Sequence, residues 1–230
     1  MDPIIMIPGL GSDAAVWQPT IDELSSDTEC LVGDTLSDGT LSAMAARILS
    51  DAPPRFALAG ISMGGMVALE IMRAAPARVT RLMLCDTNVR PDAAEQIARR
   101  RATNAAMLHA SDLAALAAPA IAYMVHPDSD EGVWKALMEM ILRVGAPAYV
   151  RQNEAVIARD ELRPILAPIR VPTMVVVGAN DLITPVILSQ EISDAIPGAT
   201  LLVIRDCGHL PPIEKPHVLA ALMQKWLRRG

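Results

Sequence analysis

Phe56-Ala57-Leu58-Ala59-Gly60-Ile61-Ser62-Met63-Gly64-Gly65-Met66 is the stretch that decides the fold. A short apolar run enters glycine, serine and glycine, and a small-residue helical pattern from Met66 to Ala75 follows at once. This predicts a strand, a sharp turn and a helix. So tight a turn puts the backbone of its serine into a strained conformation, so the flanking positions must lack bulk, which Gly60 and Gly64 do. The GxSxG pattern is short and made of common residues. The predicted strand before it and helix after it make Ser62 a candidate nucleophile rather than part of an ordinary glycine-rich turn.

Outward from this stretch, strands and helices alternate. Ile4-Ile5-Met6-Ile7 is a continuous apolar run of the kind expected for a strand buried on both faces, and Pro8-Gly9-Leu10-Gly11 ends it. Asp13 to Leu24 is compatible with an irregular turn and a short helix, and Glu29 to Val32 with a weak strand. Thr40 can cap a helix with Leu41, Met44, Ala45, Ile48 and Leu49 on its apolar face. Val79 to Cys85 is a further strand, ending at Asp86-Thr87. Such alternation favours a parallel sheet with helices on both faces.

The rhythm changes between Asn88 and Pro168, where no convincing strand occurs and four helical patterns are separated by helix breakers. Pro91 can open the first, Ser111 can cap the second, Asp130 starts a third that ends at Gly145, and Pro147 opens a fourth. The alternation then resumes with Thr173 to Val177. Thr184 and Pro185 read as an N-cap and first residue of a helix, Leu201 to Ile204 as a strand, and Val218 to Leu227 as a closing amphipathic helix. Residues 1–87 and 169–230 are therefore expected to form the core, with residues 88–168 as a helical insertion over the ends of the sheet.

Composition narrows the possible functions. At 230 residues the chain fits one large domain, or a core with a smaller insertion. Its net charge of −6 argues against a nucleic-acid partner. The one basic run, Arg99-Arg100-Arg101, is assigned to a solvated helix face in preference to a contact for an acidic carrier or substrate. No basic segment precedes an apolar one at the amino terminus, so the expected location is cytoplasmic. The apolar stretch Leu113 to Val125 is too short to span a bilayer and contains Pro119. Cys30, Cys85 and Cys207 are odd in number, have no metal-ligand spacing and read as reduced thiols.

A serine hydroxyl needs a base to take its proton as it attacks. His209 follows a predicted strand directly, on the sheet edge that carries Ser62, which is where open α/β sheets build their sites. The base needs a carboxylate to fix its tautomer. Asp181, after the preceding strand, is preferred over Asp86 on the chain order Ser62, Asp181, His209, and Thr184 is expected to leave it free of helix capping. The oxyanion donors are expected to be the backbone N–H groups of Met63 and Leu10. His126 is assigned a surface role in preference to one in the site.

At these residues the chain resembles the α/β-hydrolase superfamily over nearly its whole length, specifically small capped esterases and lactonases such as 3-oxoadipate enol-lactonases and pimeloyl-ester carboxylesterases. The resemblance is carried by Ile7-Pro8-Gly9-Leu10-Gly11 with Trp17, Gly60 to Gly65, Val177 to Asp181, and Gly208-His209-Leu210-Pro211 with Glu214 and Pro216. It implies an α/β-hydrolase fold of about six mostly parallel strands with an inserted four-helix cap. It also implies a serine hydrolase acting on a small ester or lactone, with thioester, carbon–carbon and perhydrolytic variants. A ligand receptor on the same scaffold is the rival. Neither a metal nor an organic cofactor is implied, and a monomer or homodimer is expected. Family members usually carry histidine where this chain has Pro8, so the hydrogen bonding of the oxyanion loop must differ. The apolar residues of the insertion, Met107, Leu113, Leu116, Tyr123, Met124, Trp134, Leu137, Met138 and Met140 among them, suit a medium acyl or alkyl group better than a sugar.

Overall fold

The structure of the chain, a computed structural model, describes residues 2–228. Six strands form one sheet: β1 (Ile4–Ile7), β2 (Cys30–Val32), β3 (Phe56–Ile61), β4 (Val79–Cys85), β5 (Thr173–Gly178) and β6 (Thr200–Ile204). Their order is β2-β1-β3-β4-β5-β6, and every neighbouring pair is parallel. The central strands β1, β3 and β5 are buried along their whole length, as their unbroken apolar runs require, while β2 and β6 form the edges.

Alternate residues serve opposite faces of the sheet. Ile5, Ile7, Leu58, Leu82, Leu84 and Val175 pack with one apolar cluster, which includes the helices α2 (Leu41–Asp51) and α3 (Met63–Ala74). Ile4, Met6, Ala57, Ala59, Ile61, Met83 and Val176 pack with the other, around Trp17. The short α1 (Gln18–Asp22) and the carboxyl-terminal α9 (Pro216–Arg228) lie on that second face. Burying an amphipathic face such as that of α9, with Leu219, Met223 and Trp226 inside, is worth about 1.5–3 kcal/mol per large side chain.

The chain leaves β1 for β2 on one side and returns to place β3 on the other, so strand order reverses at β1 and β3. Loops from the carboxyl ends of these two neighbours diverge there and leave a crevice. Ser62 and the Pro8–Ser12 loop stand on either side of it, with Ile7 in register with Gly60.

Between β4 and β5 lie only helices: α4 (Ala94–His109), α5 (Leu113–Met124), α6 (Glu131–Ile157) and one turn of 3₁₀ helix. The long α6 is two helical arms joined at Gly145, whose φ of 70° and ψ of 166° break the helix two residues before Pro147. The third and fourth expected helices are these two arms. Four expected helix starts move, α3 beginning at Met63 rather than Met66. α4 begins at Ala94 rather than near Pro91, with Gln96 Oε1 accepting the Ala93 N–H at 2.8 Å. Asp112, not Ser111, caps α5 through its bond to the Ala115 N–H at 3.0 Å. α7 (Val186–Ala195) follows Pro185 with no side-chain cap, because the Thr184 hydroxyl is engaged elsewhere. The Thr40 and Asp130 caps form as expected, on Ala43 N and Val133 N.

Candidate active site

Ser62 occupies the turn between β3 and α3 with φ 54° and ψ −118°, a region that L-residues avoid and that costs about 1–3 kcal/mol. Two neighbours hold it there. The Ser62 N–H donates to Cys85 O at 2.9 Å, and the Thr87 hydroxyl donates to Ser62 O at 2.6 Å. The glycines answer a packing demand: a Cβ at Gly64 would stand 2.2 Å from Ile7 O, and one at Gly60 2.2 Å from Gly64 O.

His209 comes from the loop after β6, and its Nε2 lies 2.9 Å from Ser62 Oγ. Its Nδ1 lies 2.8 Å from Asp181 Oδ2, in the loop after β5. An ionised carboxylate only accepts, so Nδ1 carries the hydrogen and Nε2 is left to accept from the serine hydroxyl. The structure thus brings together Ser62, His209 and Asp181, read separately from the sequence. Asp181 also does local work, since its Oδ1 accepts the N–H groups of Ile183 and Thr184 and its Oδ2 the Thr184 hydroxyl. Thr184 therefore serves the aspartate instead of relieving it of capping. Burial works to raise the Asp181 carboxyl, but His209 and Thr184 outweigh it and hold the group well below the usual carboxylate range.

Asp86, the competing acid, lies fully buried beside this pair rather than on the histidine. Its φ is 44°, its Oδ1 accepts the Gly178 N–H at 2.9 Å, and its Oδ2 has no partner among the described residues. Burial, and then the charge of Asp181, push its carboxyl well above the usual range. Asp86, Asp181 and His209 form a group whose polar atoms lie within 4.8 Å of one another. The His209–Asp181 bond already spends Nδ1 and Oδ2, and Asp86 Oδ1 is taken by the Gly178 N–H, so the group fits a hydrogen-bonded cluster better than a metal site.

Leu10 and Met63 line the same cavity as Ser62, and among the described residues neither backbone N–H donates to a protein acceptor. Gly9 brings the loop close, since a Cβ there would lie 3.3 Å from Ser62 Cβ. With Pro8 in place of histidine, the loop is tied from α6: the Gly11 N–H donates to Gln152 Oε1 at 2.8 Å, and Gln152 Nε2 donates to Thr35 O at 3.2 Å. Gln152 is fully buried, as is its neighbour Asn153, and in the polar run Arg151-Gln152-Asn153-Glu154 nothing in the sequence singles it out. His126 does not reach the cavity. Its ring is mostly buried and accepts the Asp128 N–H, while its backbone N–H donates to Glu214 Oε2.

The cavity over Ser62 holds about 540 Å³. Its walls are mainly apolar, with Met107, Leu116, Tyr123, Met124, Leu137 and Met140 among them. Of the basic triplet, Arg99 is exposed, whereas Arg100 is half-buried and lines this cavity, so a single solvated face does not describe the run. No helix among the described residues is long and apolar enough to cross a membrane. Cys85 and Cys207 are buried and Cys30 half-buried, all as free thiols.

A parallel six-stranded sheet, a serine on a strained strand-to-helix turn and a histidine after the last strand define an α/β-hydrolase architecture. The model of the alpha/beta hydrolase family matches residues 4–222, and the chain belongs to that family. It is 28% identical to a provisionally named non-heme bromoperoxidase, BpoC, of Mycobacterium tuberculosis, over 98% of this chain and 93% of that one. It is 27% identical to the pimeloyl-[acyl-carrier protein] methyl ester esterase of Aromatoleum aromaticum, over 98% of each chain. Among solved structures, a malate-bound thermophilic esterase from Thermogutta terrifontis superposes with a TM-score of 0.89 at 25% identity, covering 99% of this chain and 90% of that one. The enol-lactonase of Burkholderia xenovorans LB400, with a TM-score of 0.86 at 23% identity over 100% and 92% of the chains, shares the fold.

Proposed function

We propose that the chain is a serine hydrolase that cleaves a carboxylic ester or lactone of a small, largely apolar substrate through an acyl-enzyme. The observation that carries this reading is the continuous bond from Ser62 Oγ through His209 to Asp181, at 2.9 and 2.8 Å. In this reading the Ser62 oxygen attacks the carbonyl while its proton passes to His209 Nε2, and Asp181 stabilises the imidazolium. The N–H groups of Leu10 and Met63 receive the developing oxyanion. His209 then protonates the leaving group, and water activated by the same ring releases the acid. No metal or organic cofactor enters any step.

Residues 88–168 act here as a cap, because α4, α5 and α6 supply most of the apolar walls above Ser62. The relatives named as an ester esterase and an enol-lactonase support ester-type chemistry. Thioester hydrolysis is the nearest chemical variant, since an acyl thioester would use the same groups. A receptor on this scaffold would bind ligand with few or no turnovers.

A panel of p-nitrophenyl esters of graded chain length, with a lactone and an acyl thioester beside it, separates these readings. The expected result is multiple turnover on a short to medium ester or lactone, lost in Ser62→Ala. Folded protein that binds these compounds and never turns over would favour the receptor.

A further inference from the structure

Arg100 is the one formally charged side chain among the residues that line the cavity containing Ser62. It is held in a fixed pose. Its Nε donates to Asp92 Oδ2 at 2.5 Å and its Nη1 to Asn153 Oδ1 at 2.8 Å. Asn153 is itself fixed, bonding Asn104 Oδ1 and Arg100 O. The third nitrogen, Nη2, has no protein partner among the described residues.

Asp92 does not neutralise this cation alone, because it is shared. Its other oxygen accepts from Arg159 at 2.6 Å. Arg159 spends its remaining bonds on Arg90 O and Val156 O and is almost fully buried. Two guanidinium groups therefore surround one buried carboxylate and leave one net positive charge, and the only one of the two that lines the cavity is Arg100. Glu154 approaches this network only through Asn104, and its own side chain lies in solvent.

Tyr149 stands beside it. Its ring lies against the oxyanion loop, where a Cβ at Gly11 would meet Cδ2 at 3.3 Å, and its hydroxyl has no protein partner among the described residues. Burial raises the phenol and the nearby Arg100 charge opposes that, so the hydroxyl stays a neutral donor. Along α4, Arg100, Thr103 and Met107 follow one face at spacings of three and four. The cavity wall thus runs from cationic to apolar over roughly 10 Å.

We propose that Arg100 and Tyr149, with Thr103 beside them, form a carboxylate-binding subsite, and that the preferred substrates are esters or lactones carrying a second, free carboxylate away from the scissile carbonyl. A half-ester of a dicarboxylic acid is the simplest such compound. One net charge matches a monoanionic carboxylate better than a dianionic phosphate, and Arg100 Nη2 together with the Tyr149 phenol can donate to its two oxygens. The position of the scissile ester rests on the reading of Ser62 as nucleophile; the subsite itself does not.

Two arms keep these claims apart. In Ser62→Ala protein, calorimetry compares monomethyl with dimethyl succinate, glutarate and adipate. At least one half-ester is expected to bind tenfold or more tighter than its diester, and the preference to collapse to about one when Arg100→Gln is added. In the wild type, the p-nitrophenyl half-esters are expected to exceed neutral esters of equal length in kcat/KM by tenfold or more, a ratio that Arg100→Gln abolishes and Tyr149→Phe lowers about threefold.

No preference for any half-ester in binding, or a preference unchanged in folded Arg100→Gln, overturns the subsite. Arg100-dependent binding without turnover of either ester upholds the subsite and counts against the Ser62 reading. Should Arg100→Gln not fold, Tyr149→Phe decides, since its hydroxyl has no protein partner among the described residues: an unchanged preference overturns the proposal.

Discussion

The carboxylate of Glu214 brackets His209. Its Oε2 accepts the N–H of Gly208 at 3.0 Å and its Oε1 that of Leu210 at 2.9 Å, the residues on either side of the histidine. The same Oε2 accepts the His126 N–H at 2.7 Å and the Ser129 hydroxyl at 3.1 Å, and the His209 N–H itself donates to Met124 O at 2.7 Å. One side chain on the short helix α8 (Pro211–Glu214) therefore fixes the histidine loop and ties it to the segment between α5 and α6. Removing it would orphan several N–H groups, at about 1–3 kcal/mol for each one left unsatisfied. Glu214→Ala is expected to lower kcat at least tenfold and the melting temperature by several degrees, and Glu214→Gln to recover part of both. Esterase assays beside thermal unfolding check this, and an unchanged kcat would show that the histidine loop holds itself.

Asp86 and Asp181 should respond oppositely to amide substitution. Asp86 is buried and its carboxyl is raised, so in the folded state it resists ionising. Such a group lowers stability as pH rises above the ordinary carboxylate range towards its folded value. Asp86→Asn removes that penalty and is expected to melt no lower than the wild type at neutral pH, with a relative gain that grows from pH 4 upward, and to keep most activity. Asp86→Ala, which strips the acceptor from the Gly178 N–H, should lose about 1–3 kcal/mol.

Asp181 is depressed, so its contribution is present above the ordinary carboxylate range and is lost as pH falls below it. Asp181→Asn is expected to lower kcat by a thousandfold or more, through the wrong imidazole tautomer, and to flatten the fall of melting temperature in acid. Melting curves from pH 3 to 8 with kcat at each pH distinguish the two aspartates.

The turn around Ser62 tolerates no added methyl group on its inner side. In Gly64→Ala the new Cβ would lie 2.2 Å from a backbone carbonyl, so β1 or α3 has to move. Loss of soluble folded protein or a drop of more than 10 °C is expected. Gly198→Ala is the control: its φ of 77° is strained for alanine, but nothing lies within 4 Å. It should cost only about 1–2 kcal/mol. Similar melting temperatures for the two would contradict the packing argument.

Gln152 is expected to matter through the oxyanion loop. Gln152→Ala frees the Gly11 N–H and should reduce kcat about tenfold with little change in KM, because the Leu10 donor would lose its fixed position during the reaction and not in binding. A change confined to KM would assign Gln152 to substrate binding instead.

The sheet and the serine turn were legible in the sequence because the physical demand there is local. Unbroken apolar runs marked β1, β3 and β5, and the need for small residues around Ser62 marked the turn. Helix starts were less so, because Ser111 and Asp112 are equally good caps in isolation and the tertiary path chose between them. Thr184 suits an N-cap in isolation too, but its hydroxyl has a better acceptor in Asp181 than in the helix.

What stayed hidden depends on long-range neighbours. Gln152 meets Gly11 across 141 positions, and no spacing rule links them. Arg100 reads like Arg99 and Arg101 in the chain, and only the packing of α4 against α6 turns one of the three towards the cavity. Glu214 stood in the motif around His209, but the donors it serves are backbone groups, which side-chain patterns do not report.

Every step of the proposed hydrolysis requires Ser62 to take the acyl group. Intact-protein and peptide mass spectrometry after brief exposure to a fluorophosphonate tests it directly, beside Ser62→Ala with a matching circular dichroism spectrum. One adduct per chain is expected, located on Ser62, with hydrolysis lost in step and reduced at least a thousandfold in the variant. An adduct elsewhere, or a folded Ser62→Ala protein that keeps full esterase activity, would contradict it.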